Sequence, residues 1–148
     1  MDKLKVHQKC LAMAESNVSA IKLALQEAQD AANNETKSTA GDKHETGRAM
    51  AQLETEKLST QLNEALKLIQ TIHQINPNQK TKPIAFGSLV KTNFGNFYLS
   101  VSLGRVELDG TECFCISPVS PIGKIMLTKK EKDSFSLNGK KYVIEEIF

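Results

Sequence analysis

Two carboxylates, Asp42 and Glu45, stand three residues apart in this sequence of 148 residues. Residues with that spacing lie on one face of a helix. An Asp/Glu pair can ligate Mg²⁺, but this ion usually also needs other ligands or substrate phosphates. The pair alone should therefore not hold a metal tightly in the isolated protein, whereas it could complete a metal site in another macromolecule.

Basic residues surround the pair. Lys37, Lys43 and Arg48 could contact phosphate groups next to such a metal site. The alternative is a solvated surface on which opposite charges balance, and for any one of these side chains that alternative is the simpler one. His44 has neither a cysteine nor a second histidine near it, which favours an exposed residue over a metal ligand.

The same two carboxylates also fit a purely structural role. The pattern Asp42-x-x-Glu45 before a helical segment is typical of a capping box, in which Asp42 accepts a hydrogen bond from the backbone of residue 45. Glu45 would then reach back to the backbone N–H of residue 42, and both acids would suit the positive end of the helix dipole. Local sequence favours this interpretation.

Composition narrows the remaining function classes. The net charge of +2 shows no global basic excess, and no apolar run approaches the ~20 residues of a membrane span, so no membrane partner is expected. There is no P-loop, dinucleotide fingerprint or nucleophile elbow.

The three cysteines, Cys10, Cys113 and Cys115, have no spacing typical of a disulfide or zinc framework. They therefore predict a reducing, cytoplasmic setting. Cys113 and Cys115 are expected to be small core or surface residues.

The first half of the chain has the period of helices. Apolar residues recur every seven positions, which predicts two helices that pack as an antiparallel coiled-coil hairpin over residues 1–76, with its tip near residues 38–47. One seam holds Leu4, Leu11, Val18, Leu25 and Ala32 with Ala14, Ile21 and Ala28; the other holds Ala51, Leu58, Ala65 and Ile72 with Leu62 and Ile69. A helix of about 33 residues is about 50 Å long, so one end should project. The alternative is pairing with a second chain.

The second half changes to the period of strands. After a linker at residues 77–83, residues 84–148 predict a small, mostly antiparallel sheet with one short helix over 120–130, opened by Ser120 with Pro121 at its first position. Asp109-Gly110 and Asn138-Gly139 predict hairpin turns. The alternation of Phe97, Leu99, Val101 and Leu103 predicts one strand face. The expected fold class is α+β.

Several of these motifs occur in the same order in a known family. The tip "GDKHET" keeps Gly41, Asp42 and Glu45 of a family pattern, and "FGSLV", "SPIG", "LTKK" and the final glycine hairpin follow in register. In this arrangement the chain resembles the bacterial Gre transcript-cleavage factors over essentially its whole length. The resemblance implies an N-terminal antiparallel coiled coil and a C-terminal domain with an FKBP-like fold.

The resemblance also implies a function. Gre factors are transcription elongation factors that bind RNA polymerase, insert their coiled coil into its secondary channel and stimulate cleavage of backtracked RNA. By motif, Asp42 and Glu45 would position a Mg²⁺ ion shared with the polymerase. Lys37, Lys43 and Arg48 would contact RNA or polymerase, and Ser120, Pro121 and Ile122 would dock on polymerase. The chain would be a cytoplasmic, monomeric accessory factor, not an enzyme, with the RNA 3′ end as a partner inside the complex.

Two other functions stay open. The family's Asn-Ala-Glu-Tyr after the tip glutamate is replaced here by Thr46-Gly47-Arg48-Ala49. A Gre-like regulator that occupies the channel without stimulating cleavage would fit this change. A coiled-coil scaffold or dimerisation protein with a small β domain would require neither an exposed tip nor a polymerase.

Overall fold

The fold is known from a computed structural model that describes the backbone of residues 1–36 and 41–148 and the side chains of residues 1–34 and 46–148. It is an α+β structure: two long helices precede a six-stranded mixed sheet and one short helix. The predicted fold class is confirmed at this level.

The two predicted helices are present. Helix α1 spans Lys3–Thr36 and helix α2 spans Gly41–His73. Helix α1 contains neither glycine nor proline, and α2 ends four residues before Pro77, which cannot continue a helix. The linker predicted at residues 77–83 contains no helix or strand.

The helical part of the chain divides between two compact units. Unit 1 combines residues 1–13 with residues 69–148, and unit 2 is formed by residues 14–68. In unit 2, Ala32 near the end of α1 and Gln52 near the start of α2 line the same cleft. In unit 1, His7 near the start of α1 lies close enough to His73 at the end of α2 to influence its titration. The two helices are therefore antiparallel.

The predicted helical seams are buried or partly buried, with one exception. Val18, Leu58, Ala65 and Ile72 are buried. Leu4, however, is 39% exposed, so its assignment to the seam was wrong. At this end of α1 the buried face instead carries Val6 and Cys10, because it packs within the core of unit 1.

The sheet follows the helices in sequence. Its strands, in spatial order β3-β4-β2-β1-β6-β5, pair antiparallel except for β2 and β4, which are parallel. Helix α3 spans Pro121–Met126, a shorter segment than the predicted 120–130. The strands are β1 Leu89–Thr92, β2 Gly95–Leu99, β3 Gly104–Leu108, β4 Thr111–Ile116, β5 Ser134–Leu137 and β6 Lys140–Ile147.

Both predicted hairpin turns are confirmed. Asp109 and Gly110 have φ of 51° and 78°, and Asn138 and Gly139 have φ of 53° and 77°. Positive φ at both central residues is the geometry of the two-residue turn that matches strand twist, and Asp-Gly and Asn-Gly adopt it readily. These turns join β3 to β4 and β5 to β6.

The sequence predicted one strand that carries Phe97 to Leu103 with alternate residues on a single apolar face. This prediction is only partly correct. Strand β2 ends at Leu99, and the adjacent residues Phe97, Tyr98 and Leu99 are all buried. A strand that is covered on both faces cannot show the alternation of a half-exposed one. Tyr98 packs in a cluster with Val6 of α1, whereas Phe97 and Leu99 pack in a second cluster with Met126 of α3.

Candidate functional site

The start of α2 carries the two carboxylates of the predicted tip. The helix begins at Gly41, so Asp42 and Glu45 both have helical backbone in its first turns. Asp42 thus lies inside the helix, one residue beyond its first position, and not at the cap that the sequence predicted. The side chains of Asp42, Lys43 and Glu45, and the whole of Lys37, lie outside the described part of the chain.

Arg48 is the one predicted tip residue with a described side chain. It is exposed and lines a cleft of about 270 Å³ between the two helices of unit 2. The other residues that line this cleft are Gln29, Ala32, Asn33, Gln52 and Thr55. An exposed guanidinium beside amide and hydroxyl groups could contact phosphate, and it stands one further turn along the helix from Glu45.

The predicted docking residues begin α3, where Ser120 is the N-cap. Its Oγ accepts a hydrogen bond from the backbone N–H of Gly123 at 3.1 Å and donates one to the carbonyl oxygen of Ser117 at 2.6 Å. Its backbone is extended, with φ −67° and ψ 158°. Pro121 occupies the first helical turn, where its missing N–H costs nothing, as the sequence predicted.

Steric crowding explains why the "SPIG" motif has a glycine at position 123. Gly123 is buried, and a Cβ added there would lie 2.2 Å from the carbonyl oxygen of Ser117. No side chain can occupy that space without moving the backbone. Ser120 and Gly123 are therefore explained by the fold itself, because they form the tight entry into α3.

Two apolar residues of this segment remain at the surface. Val119 is 73% exposed and Pro121 is also exposed, whereas Ile122 is half-buried against the cluster that contains Met126. The sequence did not single out Val119. An apolar residue between Pro118 and the predicted helix start at Ser120 could, however, have indicated an exposed contact residue. Of the three predicted docking residues, Pro121 faces solvent, Ile122 anchors the helix and Ser120 caps it.

A buried polar cluster that sequence reasoning did not find lies at the start of α1. His7 Nδ1 is 2.7 Å from the hydroxyl of Tyr98, and both residues are buried. Lys3, also buried, donates from Nζ to the carbonyl oxygens of Gln79 at 2.7 Å and Phe148 at 3.1 Å. These bonds tie the first turns of α1 to β2 and to the end of β6.

Burial sets the protonation of this cluster. Desolvation, followed by the nearby charges of His73 and Lys3, lowers the pKa of His7. Desolvation also lowers the pKa of Lys3, and together with the neighbouring Cys113 it raises the pKa of Tyr98 above its ordinary value. The neutral forms of His7 and Tyr98 are thus favoured, which suits a structural hydrogen bond and not an acid or base for catalysis.

The cysteines lie in the same core. A disulfide joins Cys10 of α1 to Cys115 of β4, and Cys113 is the free cysteine. The expectation that the cysteines form no disulfide was therefore wrong, because the fold brings together two cysteines that are 105 residues apart in sequence. Cys113 and Cys115 are both buried, which confirms them as core residues. Burial raises the pKa of the Cys113 thiol to about 12, so this thiol is not a reactive nucleophile.

The described residues contain neither a metal centre nor a membrane span. Across the part of the chain that the structure describes, no three His, Cys, Asp or Glu residues come together as a metal site. In the same part, no helix combines the length and apolarity needed to cross a bilayer. The side chains of Asp42 and Glu45 do not belong to the described part of the chain.

Comparisons with protein families and with curated proteins do not assign this chain to a family. No family model matches the sequence, and no curated protein matches it.

Proposed function

We propose that this chain is a Gre-like transcription elongation factor that binds RNA polymerase and stimulates cleavage of backtracked RNA. The observation that carries the proposal is the position of Asp42 and Glu45 at the very start of α2, where two antiparallel helices are joined by a short connection. Paired carboxylates at the bend of a helical hairpin suit delivery to a site in another molecule.

The second part of the proposal concerns the sheet and α3. We assign residues 84–148 to an FKBP-like fold, which the mixed six-stranded sheet with one short helix supports. The exposed Val119 and Pro121 at the capped start of α3 are then the polymerase-docking surface, together with the predicted Ser120 and Ile122. A loop whose backbone is already held by a hydrogen-bonded cap loses little conformational entropy when its apolar groups bind a partner.

The chemistry of the tip follows from its donor set. Two carboxylates one helical turn apart supply hard oxygen ligands of the kind Mg²⁺ prefers, but fewer than its six positions require. Such an ion, when bound, lowers the pKa of a coordinated water and neutralises charge on phosphate oxygens. In this proposal Asp42 and Glu45 orient that ion against ligands of the polymerase, and Arg48, with Lys37 and Lys43, contacts phosphates of the RNA.

The test is cleavage of RNA in stalled elongation complexes of polymerase from the source organism. Asp42→Asn and Glu45→Gln should each slow the stimulated cleavage by roughly 10- to 100-fold, because groups that orient a metal site typically contribute that much. Glu54→Gln and Glu56→Gln are matched controls, since both acids are exposed on the same helix. Equal activity of tip and control variants would remove the metal-positioning role.

A second function is favoured by one observation. Gly47 stands in α2 two residues after Glu45, where glycine weakens a helix by about 1 kcal/mol relative to alanine. A regulator that occupies the channel without stimulating cleavage does not need a rigid tip. Such a protein would bind polymerase and inhibit elongation, while wild type and Asp42→Asn would both leave stalled RNA uncut.

A further inference from the structure

Two lysine-rich segments of unit 1, residues 80–82 and 129–133, lie side by side. Hydrogen bonds from Ile84 N to the Lys129 oxygen and from Thr128 N to the Ile84 oxygen, each 2.9 Å, hold the backbones together. An ion pair of 3.2 Å between Lys82 Nζ and Glu131 Oε1 also links them. We name the lysines of both segments the basic patch: Lys80, Lys82, Lys129, Lys130 and Lys132.

The two acids of these segments are occupied by internal bonds. Glu131 Oε1 accepts the backbone N–H of Ile147 at 3.1 Å and pairs with Lys82, and these interactions, in that order, lower the pKa of Glu131. Asp133 Oδ2 accepts the backbone N–H of Lys130 at 2.8 Å. Among the described residues, no acid lies within ion-pair distance of Lys80, Lys129 or Lys130.

The patch therefore concentrates positive charge that the composition conceals. Its five lysines against two acids leave a local excess of three, larger than the net charge of +2 of the whole chain. The side chain of Lys82 is 60% exposed, and Lys80, Lys130 and Lys132 are exposed as well. A cavity of about 340 Å³ lies between the segments, lined by Lys82, Pro83, Lys130, Glu131 and Ile147.

We propose that the basic patch binds the phosphate backbone of duplex DNA independently of base sequence. Lysine ammonium groups are compact charges that contact phosphates without reading bases. Single-stranded nucleic acid is bound by aromatic stacking as well as by charge. Residues 80–84 and 128–133 contain no aromatic residue, and the nearest exposed one in sequence, Phe86, is a single ring where binding of successive bases needs several. The patch thus fits a duplex better than a single strand.

The first experiment measures binding of the full chain to a labelled duplex of about 20 base pairs by fluorescence anisotropy, without polymerase. Three or four neutralised phosphates predict that log K falls by about 3 for each tenfold increase in salt. Raising NaCl from about 50 to about 200 mM should therefore weaken binding by about 60-fold. Because polymerase is absent, failure here does not bear on the proposed cleavage function, and failure of cleavage does not bear on the patch.

Matched variants assign the binding to this surface. The triple variant Lys80→Gln, Lys130→Gln, Lys132→Gln should bind at least about tenfold more weakly and with a shallower salt slope. The control Lys5→Gln, Lys9→Gln, Lys141→Gln removes the same charge from other exposed lysines of unit 1 and should bind like wild type. Replacing the three patch lysines by arginine should restore binding, which separates charge from folding.

Four outcomes would overturn the proposal. They are absence of salt-dependent duplex binding, equal weakening by the patch and control variants, tighter binding of a single-stranded RNA of equal length, and capture of poly-glutamate in preference to the duplex. Thermal unfolding followed by circular dichroism verifies that each variant is folded. If the triple variant does not fold, the single variants Lys80→Gln, Lys130→Gln and Lys132→Gln replace it, and each should reduce the salt slope by about 1 while Lys5→Gln leaves the slope unchanged.

Discussion

His7 shows how one side chain can connect the helices to the sheet. It lies on α1, its Nδ1 contacts the hydroxyl of Tyr98 on β2, and His73 of α2 and Lys3 of α1 lie close enough to affect its charge. A protonated imidazole would add a charge to a buried site that already holds the ammonium group of Lys3. The fold therefore holds His7 neutral.

This arrangement predicts a loss of stability in mild acid. The ordinary pKa of histidine is about 6.5, and that of His7 is lower in the folded protein. As the pH falls below about 6.5, the unfolded chain takes up a proton that the folded chain resists, so the free energy of unfolding decreases until the folded pKa is passed. Urea unfolding at several pH values between 8 and 5 measures this decrease in the free energy of unfolding. His7→Gln should show a smaller decrease, and an unchanged decrease would contradict the role of His7.

Gly123 supports a second prediction for a single residue. Gly123→Ala places a Cβ against the backbone carbonyl of Ser117 and should destabilise unit 1 by about 1–3 kcal/mol, as overpacked sites do. Chemical unfolding followed by circular dichroism gives the value. Ser136→Ala, at an exposed position of β5, is a neutral comparison. A Gly123→Ala protein as stable as wild type would show that the entry into α3 can shift without cost.

Among the elements, the local ones were predictable from sequence and the sheet order was not. Asp109-Gly110 and Asn138-Gly139 specify their turns through their own backbone preferences, and Ser120-Pro121 specifies the start of α3 in the same way. The parallel pairing of β2 with β4 passes over the intervening strand β3. No short motif encodes such a pairing, because it depends on how both sheet faces are covered.

Helix α2 offers a prediction about its own start. Gly47→Ala should stabilise the helix by about 1 kcal/mol, because alanine loses less backbone entropy than glycine. Hydrogen exchange of the amides that follow Gly47 should become slower. Ala49→Gly, an exposed position two residues on, should have the opposite effect. If both variants exchange like wild type, the start of α2 is set by its surroundings and not by propensity.

At the scale of the whole molecule, the presence of a helix beginning beside Asp42 and Glu45 was predictable from sequence, whereas the role of these two residues stays a prediction. Sequence motifs placed Asp42 at the cap of this helix, but the helix begins one residue earlier, at Gly41. The exposed Val119 and the basic patch were missed. Both depend on surroundings that only the folded chain brings together, namely a capped loop and two paired segments.

The choice between channel factor and scaffold is also a property of the whole molecule. The proposed function predicts a monomer of 16.3 kDa, whereas a scaffold that buries its seam against a second chain predicts twice that mass. Light scattering after gel filtration at about 10 and about 100 μM distinguishes them. A stable dimer at both concentrations would contradict the proposed monomer, and it would favour an interchain bundle.

Unit 1 is discontinuous, since residues 1–13 complete a core otherwise built from residues 69–148. This has a consequence for the order of events during translation. Val6 and Cys10 leave the ribosome first, but their partners on β2 and β4 follow about a hundred residues later, which takes several seconds at about 5–20 residues per second. Residues 14–68 emerge in between as a separate compact unit. The nascent chain must therefore keep its first helical turns soluble until the sheet arrives to cover them.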